Sequence, residues 1–236
     1  MGSKAIVSSE KITAIANAIR AKTGNPSTML LDDMPTQIAS IEGGGGDGEL
    51  SVNAYFEGVL EEVDCDVAKI VNPYAFYENQ GIKRVRFANA TSVGAYNFQS
   101  CENVVSVDFP NATGEIGSGF CNGCKKLNRV NIPQVTKLGN YAFQSCSEIE
   151  KIDLPAVQSF GNYCLRYTNG LKALILRYQG GVVAKGSSIL SGSGLQSNGY
   201  IYVPKALLED YKNGTNWSSF ADRFRAIEDY PAITGG

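Results

Sequence analysis

The sequence predicts an α/β solenoid of stacked repeats, preceded by a small N-terminal helical hairpin. Three observations carry that expectation. The stretch Leu138 to Ser159 recurs along the chain with a period of about 22 residues. The aliphatic residues of each copy end in strict alternation, the period of a strand. A glycine, an aromatic residue and a proline keep phase from copy to copy, and stacked units of this kind supply one another's core.

Moved back by one period, Leu138–Ser159 falls on Ile116, Gly117, Cys124, Leu127, Val130, Ile132, Pro133 and Val135. One step earlier, with a single extra residue absorbed near Gly114, come Val93, Gly94, Phe98, Cys101, Val104, Val107, Phe109 and Pro110. A first copy begins at Val71, with Phe76, Ile82, Val85 and Phe87, and a fifth at Phe160, with Leu165, Leu171, Leu174 and Leu176. Within a unit, Val130 and Ile132 point one way and Arg129 and Asn131 the other. The following proline (Pro110, Pro133, Pro155) has no amide for a ladder and ends the strand. Gly94, Gly117, Gly139 and Gly161, with Asn72 in the first unit, mark a turn expected to need positive φ. Tyr-Ala-Phe or its equivalent then gives a short helical turn that drives Phe76, Phe98 or Phe143 inward.

Composition excludes more than it assigns. The chain has 236 residues, 43% of them hydrophobic, enough for one solenoid and small additions. A net charge of -2 with mixed signs argues against nucleic acid as a partner. No apolar run approaches the roughly 18 residues of a membrane span, so no membrane is expected as a partner either. Met1 to Val7 lacks the apolar core of a secretory signal, and Met1-Gly2-Ser3 has the look of a cloning scar. The chain has no histidine, which removes His-based acid–base work and Ser-His or Cys-His nucleophile pairs. Neither a catalytic residue nor a metal or cofactor site is expected, and the chain reads as no enzyme. Six cysteines are present. Cys101, Cys124 and Cys146 share one slot in consecutive repeats and read as stacked buried thiols. Cys121 takes the slot of Phe98 and Phe143, so Cys121-x-x-Cys124 arises from register; as a redox or half-zinc motif a lone pair is weak.

The chain divides into five stretches. Residues 1–42 form a helical module for attachment or oligomerisation: Ile12, Ile15 and Ile19 share one helix face, and Ile38 and Ile41 another. Two short helices cannot bury a core alone, so the module is expected to need other copies or a partner, with a cap folded against the solenoid as the alternative. Residues 43–48, almost all glycine, form a linker. Residues 49–70 open the solenoid as its N-terminal cap, and the array runs from 71 to 204, ending on the strand-then-proline signature Tyr200-Ile201-Tyr202-Val203-Pro204. Residues 205–236 supply a C-terminal cap, a short helix from Ala206 to Tyr211 followed by Trp217, Phe220, Phe224 and Ile227.

The repeat Ile-Gly-x-x-Ala-Phe-x-x-Cys-x-x-Leu-x-x-Val-x-Leu-Pro, followed closely by Leu138–Pro155, resembles bacterial leucine-rich repeats of the BspA-like type. That resemblance implies a right-handed superhelix, surface adhesion or virion structure, and no enzymatic activity. Ala88 and Arg177 replace the proline in the outer repeats. The stretch Ser9 to Gly24, with Met34 to Ile41, resembles a helical module at the start of tail, fibre and other virion proteins of phages infecting Gram-positive bacteria. It implies a virion location, with other virion proteins as partners through residues 1–42 and a homo-oligomer, a trimer as the candidate state. A bacterial cell-surface location is the alternative.

Binding residues are expected between the strand aliphatics: Arg84 and Arg86, Asp108, Arg129 and Asn131, Lys151 and Asp153, with Lys172 and Ile175 beyond. Arg84, Arg129 and Lys151 occupy one equivalent position, a basic stripe suited to an anionic glycopolymer or an acidic patch on a host cell-surface protein. A solvated face of mixed charge is the competing reading.

Overall fold

A computed structural model gives the architecture and describes residues 4–7, 51–52, 61–66, 68–214 and 216–235. The expected N-terminal helices, with Ile12, Ile15, Ile19, Ile38 and Ile41, and the 43–48 linker lie outside the described residues.

Each repeat gives one strand to each of two parallel ladders. The first ladder runs Lys4–Val7, Glu62–Cys65, Arg84–Phe87, Ser106–Asp108, Arg129–Asn131. It resumes alongside as Lys151–Leu154, Ala173–Leu176, Tyr200–Val203 and Phe224–Ala226. The second ladder is made of seven short strands, from Ser51–Val52 to Ala184–Lys185. The register is set by burial: Val63, Val85 and Val107 align and point into the core while Asp64, Arg86 and Asp108 align on the opposite side. The extra residue expected near Gly114 sits at an irregularity, where Val135 faces Gly114 but Lys137 faces Glu115. Two strands differ from expectation. Lys4–Val7 runs beside Glu62–Cys65, and Phe224–Ala226, expected as cap, pairs with Tyr200–Val203 and adds a rung.

A third ladder is built from turns. The N–H groups of Tyr74, Phe76 and Glu78 donate to the carbonyls of Ala95, Asn97 and Gln99, at 3.0, 3.0 and 2.8 Å. Tyr96, Phe98 and Ser100 do the same to Ser118, Phe120 and Asn122 at 2.8, 2.8 and 2.7 Å. Donors therefore face the next repeat and acceptors the previous one. The geometry needs left-handed residues four apart: Tyr74 and Glu78 (φ 62 and 57), Tyr96 and Ser100 (58 and 59), Tyr141 and Ser145 (59 and 60).

The glycines expected at positive φ are elsewhere in backbone space. Gly94, Gly117, Gly139 and Gly161 are absent from the left-handed set. Their reason is contact: a Cβ on Gly117 would stand 2.4 Å from the backbone nitrogen of Ala95 in the preceding turn. The chain is drawn tight here, and only a hydrogen fits.

The core is a single file of slots. Phe76 and Phe98 stack at 5.1 Å, and Phe98, Phe120 and Phe143 continue edge-to-face at 5.4 and 5.9 Å. Phe120 thus supplies the ring that Cys121 leaves out, from one position earlier. Cys101, Cys124 and Cys146 are fully buried and unpaired by disulfide, as expected. Their thiols donate to the carbonyls of Phe76, Phe98 and Cys121 at 2.8, 3.0 and 3.1 Å. Thr168 continues the row, its hydroxyl donating to Leu165 O at 2.8 Å. From Cys101 to Thr168 the slot holds a small side chain that donates, whereas in the first repeat Asn79 fills it and accepts from the Gly81 and Ile82 N–H groups.

At the C-terminal end, Trp217 and Tyr211 are completely buried over the last turn. The Val183 N–H donates to Tyr211 Oη at 2.9 Å, and Trp217 Nε1 donates to Val183 O at 2.7 Å. The cap both covers the core edge and satisfies its backbone. The helix expected there is a 3₁₀ turn at Lys205–Leu207 followed by an α-helix at Leu208–Asn213.

Candidate recognition surface

The outward residues of the first ladder form two rows. In register, Glu62, Arg84, Ser106 and Arg129 make one, and Asp64, Arg86, Asp108 and Asn131 the other. Beyond them Lys151 aligns with Ala173 and Tyr200, and Asp153 with Ile175 and Tyr202. All seven candidate binding residues lie on these two rows.

Charge along the rows is largely cancelled within them. Arg84 pairs with Glu62. Arg86 is bracketed by Asp64 and Asp108, each at 3.1 Å. Hydrogen bonding to Asp64, foremost, raises the Arg86 pKa above its ordinary value. Asn131 Nδ2 donates to Asp108 Oδ1 at 2.7 Å. Of the expected basic stripe, Arg84 alone is in an ion pair; Arg129 and Lys151 have none among the described residues. Lys151 donates to the carbonyl of Ile233 at 2.6 Å. These pairs join residues one period apart, and opposite charges separated by 22 residues in the sequence were the available signal: Lys83–Glu61 at 2.7 Å and Lys172–Glu150 at 2.6 Å repeat it.

The C-terminal tail closes the far end of the face. Arg177 grips Asp153 with Nε at 2.9 Å and Nη2 at 2.7 Å, and Nη2 also donates to the Thr234 carbonyl. Ile175, expected outside, is fully buried against Tyr202 and Ile227. An aliphatic pair under a folded-back tail is a second small core, which strand alternation alone does not reveal.

Between the tail and the strands lies a cleft of about 400 Å³, lined by Lys172, Asn198, Tyr200, Tyr202, Arg225 and Tyr230 among others. The Arg225 guanidinium sits 4.2 Å from the centre of the Tyr200 ring. Tyr230 meets Tyr202 edge-on at 5.6 Å. Tyr200 and Tyr202 were legible only as strand residues; Arg225 lies in a strand of three residues, too short for its periodicity to be read. Among the described residues no three His, Cys, Asp or Glu side chains gather to hold a metal, and no helix is long and apolar enough to cross a membrane.

Parallel ladders at a fixed period, proline-ended strands and a stacked core define a leucine-rich-repeat solenoid. More narrowly, residues 69–183 match the BspA type leucine rich repeat region, in 6 copies. Two solved structures are similar to the chain. A leucine rich cell surface protein from Faecalibacterium prausnitzii is 17% identical, with a TM-score of 0.44, covering 58% of this chain and 45% of its own. A leucine-rich repeat protein from Bacteroides ovatus is 16% identical, with a TM-score of 0.42, covering 66% and 47%. The chain thus spans less than half the length of either. No curated protein matches it.

Proposed function

We propose that the protein is a non-enzymatic recognition protein whose first-ladder face binds a surface partner, a host cell-surface protein or glycopolymer. In this reading residues 1–42 fix it to other proteins of a phage virion, as part of a tail or fibre. One observation carries the recognition role. Beneath the face Val63, Val85, Val107 and Val130 keep one chemistry, while the row beside them changes from Glu62 to Arg84, Ser106 and Arg129. A constant scaffold with variable outward positions is how stacked repeats build an extended binding surface. The non-enzymatic reading rests on the absence of histidine and on acids and bases committed to one another along the face. The virion placement is supported by the resemblance of residues 9–24 and 34–41. A bacterial cell-surface placement is the second reading, favoured by the repeat type itself.

Two experiments test this. Purified full-length chain is applied to candidate host cells, with Arg129→Glu and Lys151→Glu as variants; binding should fall, and capture equal to the parent's overturns the recognition role of this face. Purified phage particles are then searched for the chain by mass spectrometry. Its absence from particles, with presence on bacterial cells, overturns the virion placement.

A further inference from the structure

The cleft under the C-terminal tail holds a specific set of uncommitted polar groups. Arg225 uses both Nη1 hydrogens on its own backbone, donating to Asp222 O at 3.0 Å and Phe224 O at 2.7 Å. That leaves the Nε–Nη2 edge, the fork that matches a carboxylate bidentately. Among the described residues no carboxylate pairs with this guanidinium, and the Tyr200 ring beneath it fixes its plane. The second observation is independent. Tyr202 is 2% exposed overall, and its hydroxyl, with no hydrogen-bond partner among the described residues, is the part that opens into the cleft. A phenol whose ring is packed and whose hydroxyl faces an open cleft is held in place to meet a ligand atom.

From this geometry we propose that the cleft is a binding site for an acidic sugar residue, a carboxylate-bearing pyranose such as a uronic acid. The carboxylate docks on the free fork of Arg225. Ring hydroxyls meet Tyr202 Oη, the Tyr230 phenol and the Asn198 amide. The apolar face of the sugar rests against the Tyr230 ring and Ile233. About 400 Å³ lies at the small end of ligand clefts, which suits one ring and its linkage better than a peptide segment. A fatty acid would leave the phenols and amide without partners. The site rests on the reading of the first-ladder face as a recognition surface and names the chemistry at its C-terminal end.

The test uses the full chain and ligand-observed saturation-transfer NMR with glucuronate, glucose, acetate and the tripeptide Gly-Gly-Phe. Glucuronate should bind, with glucose and acetate each at least about tenfold weaker, the loss expected when one charge-assisted fork or the ring contacts are missing. Arg225→Gln should weaken glucuronate by about tenfold or more, and Tyr202→Phe by roughly threefold to tenfold. Tyr202→Phe should also leave the thermal midpoint equal to or above the parent's, since it removes a hydroxyl with no protein partner. Equal binding of glucose, indifference to Arg225→Gln, tighter binding of the tripeptide, or a Tyr202→Phe chain of lowered stability would each overturn the proposal. If glucuronate fails while the parent still captures cells through Arg129 and Lys151, the sugar site falls and the recognition role stands. If glucuronate binds while cell capture fails, the sugar site stands and the recognition role of the face falls.

Discussion

The Tyr96 ring lies across the backbone of Gly119 in the next repeat, so closely that a Cβ on the glycine would stand 2.4 Å from Cδ1 of the ring. Gly119 is also left-handed, at φ +63. Where the next turn carries another tyrosine, the rings stack instead, as Tyr74 on Tyr96 at 5.1 Å and Tyr141 on Tyr163 at 5.3 Å. Tyr74 and Tyr141 thus have a parallel ring beside them in the next turn, and Tyr96 has no side chain at all.

Gly119→Ala should therefore cost about 2 kcal/mol, the left-handed penalty plus displacement of the ring. Gly114→Ala, at φ +66 with open space around it, should cost about 1 kcal/mol from backbone strain alone. Urea unfolding of both variants checks the difference. Adding Tyr96→Ala to Gly119→Ala should recover part of the loss, because the two sites are in contact; simple additivity would count against the ring contact.

The slots of the core were legible because they recur. Phe76, Phe98 and Phe143 and the row Cys101, Cys124, Cys146 are where periodicity places them. What recurrence cannot give is the reason for a residue. Recurrence at Gly117 suggests a turn in left-handed space, but a close approach of backbones selects the glycine. The residues that do adopt positive φ include Tyr96, Ser100 and Tyr141, types that rarely signal it. The outward rows were legible from alternation, whereas their ion pairs required comparing charges one period apart. The cleft was not legible, since it depends on a tail returning through Arg177 and Asp153 across more than fifty residues.

Alkaline pH should unfold the chain by way of its thiols. Burial pushes Cys121 up to about 11 and Cys164 up to about 12, and holds Cys124 and Cys146 well above the ordinary 9.0. Above pH 9 the unfolded chain loses these protons while the folded chain keeps them, so stability falls as pH rises. Each thiol contributes about 1.4 kcal/mol per pH unit between its unfolded and folded values. Urea midpoints under reducing conditions at pH 7, 9 and 10 should decline, and Cys164→Ala should flatten the slope by one thiol's share.

The tail clamp is open to a milder test. Arg177→Lys keeps the charge but loses the bidentate grip on Asp153 and the bond to the Thr234 carbonyl. Limited proteolysis should then cut near Tyr230–Thr234 faster than in the parent, with a global cost near 1 kcal/mol because the pair is partly exposed. An unchanged digestion rate would show that Lys151 and the apolar contacts hold the tail unaided.

Tyr211→Phe should cost about 1–2 kcal/mol by leaving the Val183 N–H without its acceptor in a buried site. The same burial pushes the Tyr211 phenol up to about 12. Thermal denaturation of the variant at neutral pH reads the loss directly, and a midpoint equal to the parent's would mean another acceptor takes over.

The third ladder gives the stack a direction. Every turn sends its N–H groups forward and its carbonyls back, so one end of the array offers acceptors and the other donors. Gly192, in the last turn, already ends on a side chain, donating to Gln196 Oε1 at 2.8 Å. Two arrays stripped of residues 205–235 can join only donor end to acceptor end. Such a head-to-tail contact closes into a ring where its rotation allows and otherwise grows an open filament of single polarity. The C-terminal segment that seals Val183 thus also covers the end of the stack where the donors face outward.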